Sequence, residues 1–138
     1  MVSEIHDENG YRSLRQILSQ QYDLGTREPN IQVWNVNLRG DRSLTLRANG
    51  VTIRGAGMDK SVLSFKGQKA GAEGLLVNGD DFTIENLTIE DSKGDGLKIS
   101  ESKNVTIRKV KVQWTGGPST KNGAYGLYPV LTLSLIHI

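Results

Sequence analysis

The stretch "QWTGGPSTKNGAYG", residues 113–126, gathers residue types that recognise carbohydrate. Trp114, Tyr125 and the nearby Tyr128 offer flat ring faces on which a sugar can stack, and Lys121 and Asn122 can hold a carboxylate or hydroxyls. The same spacing admits a plainer use of Trp114, as a lid packed over the layer of chain beneath it. These five residues are the candidate binding set.

Acid–base or cation chemistry would need carboxylates, and the chain offers Asp80-Asp81, Glu90-Asp91 and Asp95. Each also has a structural use. Asp80-Asp81 falls at a turn, Asp95 stands just before a strand-opening glycine, and Glu90-Asp91 ends an exposed run. Arg54 and Arg108 have the chemistry of a lyase base, but their spacing around Glu85 points to a charge ladder. Of the two histidines, His6 lies in the irregular start and His137 in the last residues, so neither is given a role. Dinucleotide, P-loop, zinc and Ser-His-Asp patterns are absent.

What must position these groups is a repeat. Val51-Thr52-Ile53-Arg54, Phe82-Thr83-Ile84-Glu85 and Val105-Thr106-Ile107-Arg108 are one four-residue word. The last two copies are 23 residues apart, as are Leu87-Thr88-Ile89 and Val110-Lys111-Val112. A third run closes each unit: Gly74-Leu75-Leu76-Val77, Gly96-Leu97-Lys98-Ile99 and Gly126-Leu127-Tyr128-Pro129. Period-two alternation and the Val, Ile, Leu and Thr content predict short strands. Strands that recur in one order, with no hairpin to reverse them and no room for a crossover helix, must stack in parallel. The expected fold is all-β: a right-handed, single-stranded parallel β-helix with three short strands per rung of roughly 22–30 residues.

Alternation assigns the faces. Val51, Phe82 and Val105 point inward with Ile53, Ile84 and Ile107, as do Leu87 over Val110, Ile89 over Val112, and Leu75, Leu97 and Leu127. Thr52, Thr83 and Thr106 point outward, followed by the plus-minus-plus file Arg54, Glu85, Arg108; Lys66 over Glu90 is expected to form a similar pair. Gly50, Asp81 and Asn104 precede the three words and are types that accept left-handed backbone, as a corner requires. Residues 66–73, "KGQKAGAE", and 113–125 are insertions at equivalent corners, a position from which solenoid loops often form a binding face.

The flanks differ. In residues 10–21, Tyr11, Leu14, Ile17 and Leu18 share one helical face behind a possible Asn9 N-cap, predicting an amphipathic helix that caps the open end. The expected division is a cap helix with an irregular first coil over 1–43, rungs over 44–130 beginning with Leu44-Thr45-Leu46, and a non-native tail over 131–138. The final "LSLIHI" is what a transposase sequencing adapter yields on translation, so the natural chain is expected to continue.

The words "GVTIRGAGMDKSVLSF", "NGDDFTIENLTIEDSKGDGLKIS" and "SKNVTIRKVKVQWTGGPSTKNGAYGLYPV" resemble bacterial parallel β-helix repeat proteins of the pectate-lyase-like superfamily, over residues 44–130. The resemblance implies an extracytoplasmic setting and a range of polysaccharide chemistries, with calcium as a possible cofactor by analogy alone. It does not choose among lyase, hydrolase, epimerase and non-catalytic relatives. The Asp-Pro-His-Glu motif of mannuronan epimerases is missing.

Composition narrows the classes further. The 138 residues carry a formal charge of +2, with basic and acidic residues interleaved, which does not indicate a nucleic-acid or anionic-membrane partner. There is no cysteine, so disulfides and thiolate metal sites are excluded. The start lacks a signal-peptide pattern, and no run approaches the ~18 apolar residues of a membrane span. Three functions fit: a carbohydrate-interacting β-helix without catalysis, a polysaccharide lyase, epimerase or hydrolase whose catalytic rungs lie elsewhere, and a structural spacer of a surface assembly. An open last rung would also favour self-association.

Overall fold

The computed structural model describes residues 2–5, 30–34, 36–40, 42–47, 49–115, 127–130 and 136–137. The helix expected over 10–21 lies outside them. No helix among the described residues is long and apolar enough to cross a membrane.

The described residues form an all-β parallel solenoid of about three turns. Strands β1 (Val2–Ile5), β2 (Asn30–Val33), β3 (Val36–Arg39) and β4 (Arg42–Leu46) come first. They are followed by β5 (Thr52–Gly55), β6 (Ser61–Ser64) and β7 (Ala70–Val77), then β8 (Thr83–Glu90) and β9 (Leu97–Ser100). Last come β10 (Val105–Gln113), β11 (Leu127–Val130) and β12 (Ile136–His137). One sheet runs β1-β2-β5-β8-β10-β12, which β6 joins by pairing with β8 and β3 by pairing with β6; the other runs β4-β7-β9-β11. Leu44-Thr45-Leu46, expected to open the first rung, instead sits in the third-strand position, against Leu75-Leu76-Val77. The coil it closes begins with β2 and β3, which stack on β5 and β6.

The repeat words set the register. Ile31, Ile53, Ile84 and Ile107 form one inward file, and Leu44, Leu75 and Leu97 another. Val51, Ile53, Phe82, Ile84, Leu87, Ile89 and Val105 are all completely buried, and Val110 and Val112 pack against this core while remaining partly exposed. Each side chain so buried contributes roughly 1.5–3 kcal/mol. A single coil exposes one edge of every such file; its neighbours cover it.

Corners carry the left-handed backbone that the words anticipate. Gly50, Asp81 and Asn104 have φ of 73°, 56° and 57°. A second bend falls inside β8 and β10, at Asn86 (φ 60°) and Lys109 (φ 51°), where one strand turns into the next without a loop. The preceding coil spends residues 56–60 on that same corner. Gly55 is required there because a Cβ would lie 2.1 Å from the Asn86 carbonyl oxygen.

Buried hydroxyls stitch coils together. The Ser61 hydroxyl accepts from Ala56 N–H at 2.7 Å and donates to Trp34 O at 2.8 Å. Ser102 accepts from Gly79 N–H at 3.2 Å. Such bonds satisfy backbone groups that the corners would otherwise leave unpaired in the interior.

Candidate functional site: the corner at Trp114 and the flank beside it

β10 ends in a corner held from the coil below. Trp114 donates its indole N–H to Ser92 O at 2.8 Å, while Asp91 accepts both the Thr115 N–H at 2.7 Å and its hydroxyl at 2.8 Å. Asp91 is itself left-handed, with φ 60°. One residue earlier, Gln113 donates to the Glu90 carboxylate at 2.9 Å. The root of the insertion is therefore fixed at three successive positions. The Trp114 ring is only partly buried, so it both packs on the coil beneath and keeps a solvent-facing portion.

The next elements in the chain direction form the flank. Ser92 stands a few residues before β9, where Lys98 faces solvent and approaches the Glu73 carboxylate at 3.8 Å. Tyr128 of β11 is in register with Lys98, which is in register with Leu76 of β7. A lysine thus sits between an aromatic and an aliphatic position on adjacent strands. Of the five candidates, Trp114 is fixed at the corner and Tyr128 lies on the adjoining sheet. Lys121, Asn122 and Tyr125 lie outside the described residues.

The carboxylates of Asp80, Asp81, Glu90 and Asp91 take part in loop and corner bonds. Asp80 accepts from Lys103 N–H at 2.9 Å and Asp81 from the Asn104 side chain at 2.9 Å, which is turn chemistry. The Asp95 carbonyl accepts from Gly74 N–H at 2.9 Å. Glu90 lies opposite Ser64, two residues before Lys66, so the expected Lys66–Glu90 pair does not form and Gln113 takes that carboxylate instead. Among the described residues no group of three or more acidic or histidine side chains could hold a metal ion. Glu85 joins both arginines, to Arg54 at 2.5 Å and to Arg108 at 3.9 Å, as the charge ladder requires.

Gln68 is a determinant that sequence reading passes over. Its side chain is buried (2% exposed) within an otherwise exposed loop. The amide nitrogen is within 3.1 Å of the Ser43 hydroxyl and 3.0 Å of both Ala70 O and Glu73 O. The amide oxygen accepts from Lys93 N–H at 3.1 Å. Three coils meet at one side chain, which fastens residues 66–73 beside the flank that holds Lys98. Nothing in "KGQKAGAE" distinguishes this glutamine from a solvated one.

The fold is shared with an alginate lyase. The crystal structure of that enzyme, from Paenibacillus sp. str. FPU-7, superposes with a TM-score of 0.62 over 80% of this chain and 36% of the lyase, at 19% identity. At that identity the likeness speaks for the β-helix alone. A second likeness falls elsewhere. The SpoVR-like C-terminal domain matches residues 29–55, from the residue before β2 to the end of β5. "Uncharacterized protein YcgB" of Escherichia coli (strain K12) is 67% identical over 46 residues, 33% of this chain. The chain spans only 9% of that protein's length. The second and third repeat words, at Phe82 and Val105, lie beyond the SpoVR-like match.

Proposed function

We propose that this chain binds or presents a polysaccharide, without catalysing its cleavage, along the flank formed by the Trp114 corner and the β4-β7-β9-β11 sheet. The observation that carries the reading is Trp114: its polar edge is tied to Ser92 O while part of its ring stays open to solvent. An indole held in this way loses little freedom when a sugar stacks on it. Lys98, in register with Tyr128, supplies a cation for an acidic sugar, and Lys121, Asn122 and Tyr125 of the insertion would complete the surface. The β-helix shared with an alginate lyase supports the polymer class, since alginate is a chain of uronic acids. The same likeness favours an extracytoplasmic setting, periplasmic or secreted.

The carboxylates of Asp80, Asp81, Glu90 and Asp91 are engaged in turns and corner bonds, which favours binding over catalysis at those positions. Electrophoresis of the intact chain through gels containing alginate or pectate tests the proposal. Retardation without ultraviolet-absorbing unsaturated products is expected. Free migration through a range of uronate polymers would overturn binding, and unsaturated products would move the protein to the lyases.

A further inference from the structure

We infer that a second carbohydrate subsite, for a single uronate ring, lies on the opposite sheet between β1, β2 and β5. A concavity of about 270 Å³ opens there, lined by Glu4, Asn30, Gln32, Trp34, Thr52 and Arg54. The assignment deepens the carbohydrate reading and rests on it.

The geometry follows from register. Glu4, Gln32 and Arg54 form one file across the three strands, and Asn30 and Thr52 form a second. Strands are spaced about 4.8 Å apart and same-face residues about 7 Å along each strand. That is a compact lattice of hydrogen-bonding groups, on the scale of one sugar ring. Trp34 supplies the aromatic wall; at 40% exposed it is, with Met58, one of the large apolar residues that the described part of the chain leaves open to solvent.

Both principal contacts are held from behind. The Trp34 backbone is fixed on two sides, its N–H donating to Ile5 O at 2.9 Å and its carbonyl accepting from Ser61 at 2.8 Å. Arg54 gives its Nε proton to Glu85, leaving the terminal guanidinium nitrogens on a side chain that is 51% exposed. A fork oriented in this way suits a carboxylate. The sugar ring then stacks on Trp34, its carboxylate meets Arg54, and its hydroxyls meet Glu4, Asn30, Gln32 and Thr52. Glu4 is an acceptor for hydroxyls and repels a second negative charge, which selects a monocarboxylate sugar over phosphorylated or nucleic-acid ligands.

The chain has two tryptophans, which separates this subsite from the Trp114 flank. Trp114→Phe leaves Trp34 as the sole indole, and Trp34→Phe leaves Trp114. In the Trp114→Phe protein, sodium glucuronate should give a saturable fluorescence change at a concentration at least about fivefold below that needed for glucose. Adding Arg54→Gln should abolish that preference, and Arg54→Lys should restore part of it. A silent Trp34, or a preference that survives Arg54→Gln, overturns the subsite. If Trp34 is silent while Trp114 still responds to alginate, the subsite alone fails; if both are silent, the carbohydrate reading fails with it.

Discussion

The side-chain oxygen of Gln68 accepts the backbone N–H of Lys93 at 3.1 Å, across a gap of 25 residues in the chain. The same amide bonds back to Ser43 in the coil before, so one polar side chain spans three layers of an otherwise apolar stack. Solenoid layers touch only their neighbours, and this side chain adds to the β-ladders a set of bonds that reaches both the coil before and the coil after its own.

Gln68→Ala should therefore lower stability by about 2 kcal/mol, because it leaves the Lys93 N–H and nearby carbonyls without their partner. Gln68→Leu, which keeps the volume, should not rescue the loss. Urea unfolding monitored by circular dichroism gives the values; an unchanged midpoint in both variants would show that water replaces the amide.

Left-handed corners make a second expectation. Asn104 holds φ 57° and bonds Asp81 through its side chain. Asn104→Gly and Asn104→Ala both remove that bond, but only alanine is strained there. The alanine variant should be the less stable by about 1–2 kcal/mol. Equal stabilities would argue that the corner relaxes to another backbone conformation.

Gly55 should tolerate no side chain. Its Cβ would meet Asn86 O at 2.1 Å and Leu87 Cβ at 2.8 Å, both in the next coil. Gly55→Ala should cost about 3 kcal/mol or more, since β5 and β8 must part to admit it. Thermal unfolding measures the loss, and a wild-type Tm would contradict the stacking of these two strands.

The Arg54–Glu85 pair should matter little to stability despite its short contact. Arg54 is half exposed, so a double-mutant cycle with Arg54→Gln and Glu85→Gln should give a coupling of about 1 kcal/mol or less, falling as salt is added. Coupling well above that, or insensitive to salt, would mean the pair is more shielded than its exposure indicates.

The parts of this fold legible from sequence are those fixed by period and by backbone permission. Val51, Phe82 and Val105 declare the inward face because a one-residue slip would expose every apolar file. Gly50, Asp81 and Asn104 mark corners because few other residues accept positive φ. The first coil was legible only in part: Ile31 to Trp34 and Leu44-Thr45-Leu46 read as strands, but "NIQVWNVNLRGDRSLTL" lacks the word and its corner residue, and only pairing with β5, β6 and β7 reveals β3 and the order of the coil. The Lys66–Glu90 expectation failed by two residues because Leu63, not Phe65, is in register with Ile89, which puts Ser64 opposite Glu90 and Lys66 beyond the end of β6. At the candidate site, Trp114 was visible as a type, but its bond to Ser92 depends on a neighbour 22 residues away. Gln68 and Trp34 gave no signal because their roles come from which coils enclose them.

The polysaccharide reading meets its most direct test in calorimetric titration of the full chain with alginate oligosaccharides, comparing wild type with Trp114→Ala. Saturable binding, weakened about tenfold or more by loss of the indole, is the predicted result. Equal affinity in the two proteins, or no binding by the wild type, would contradict it.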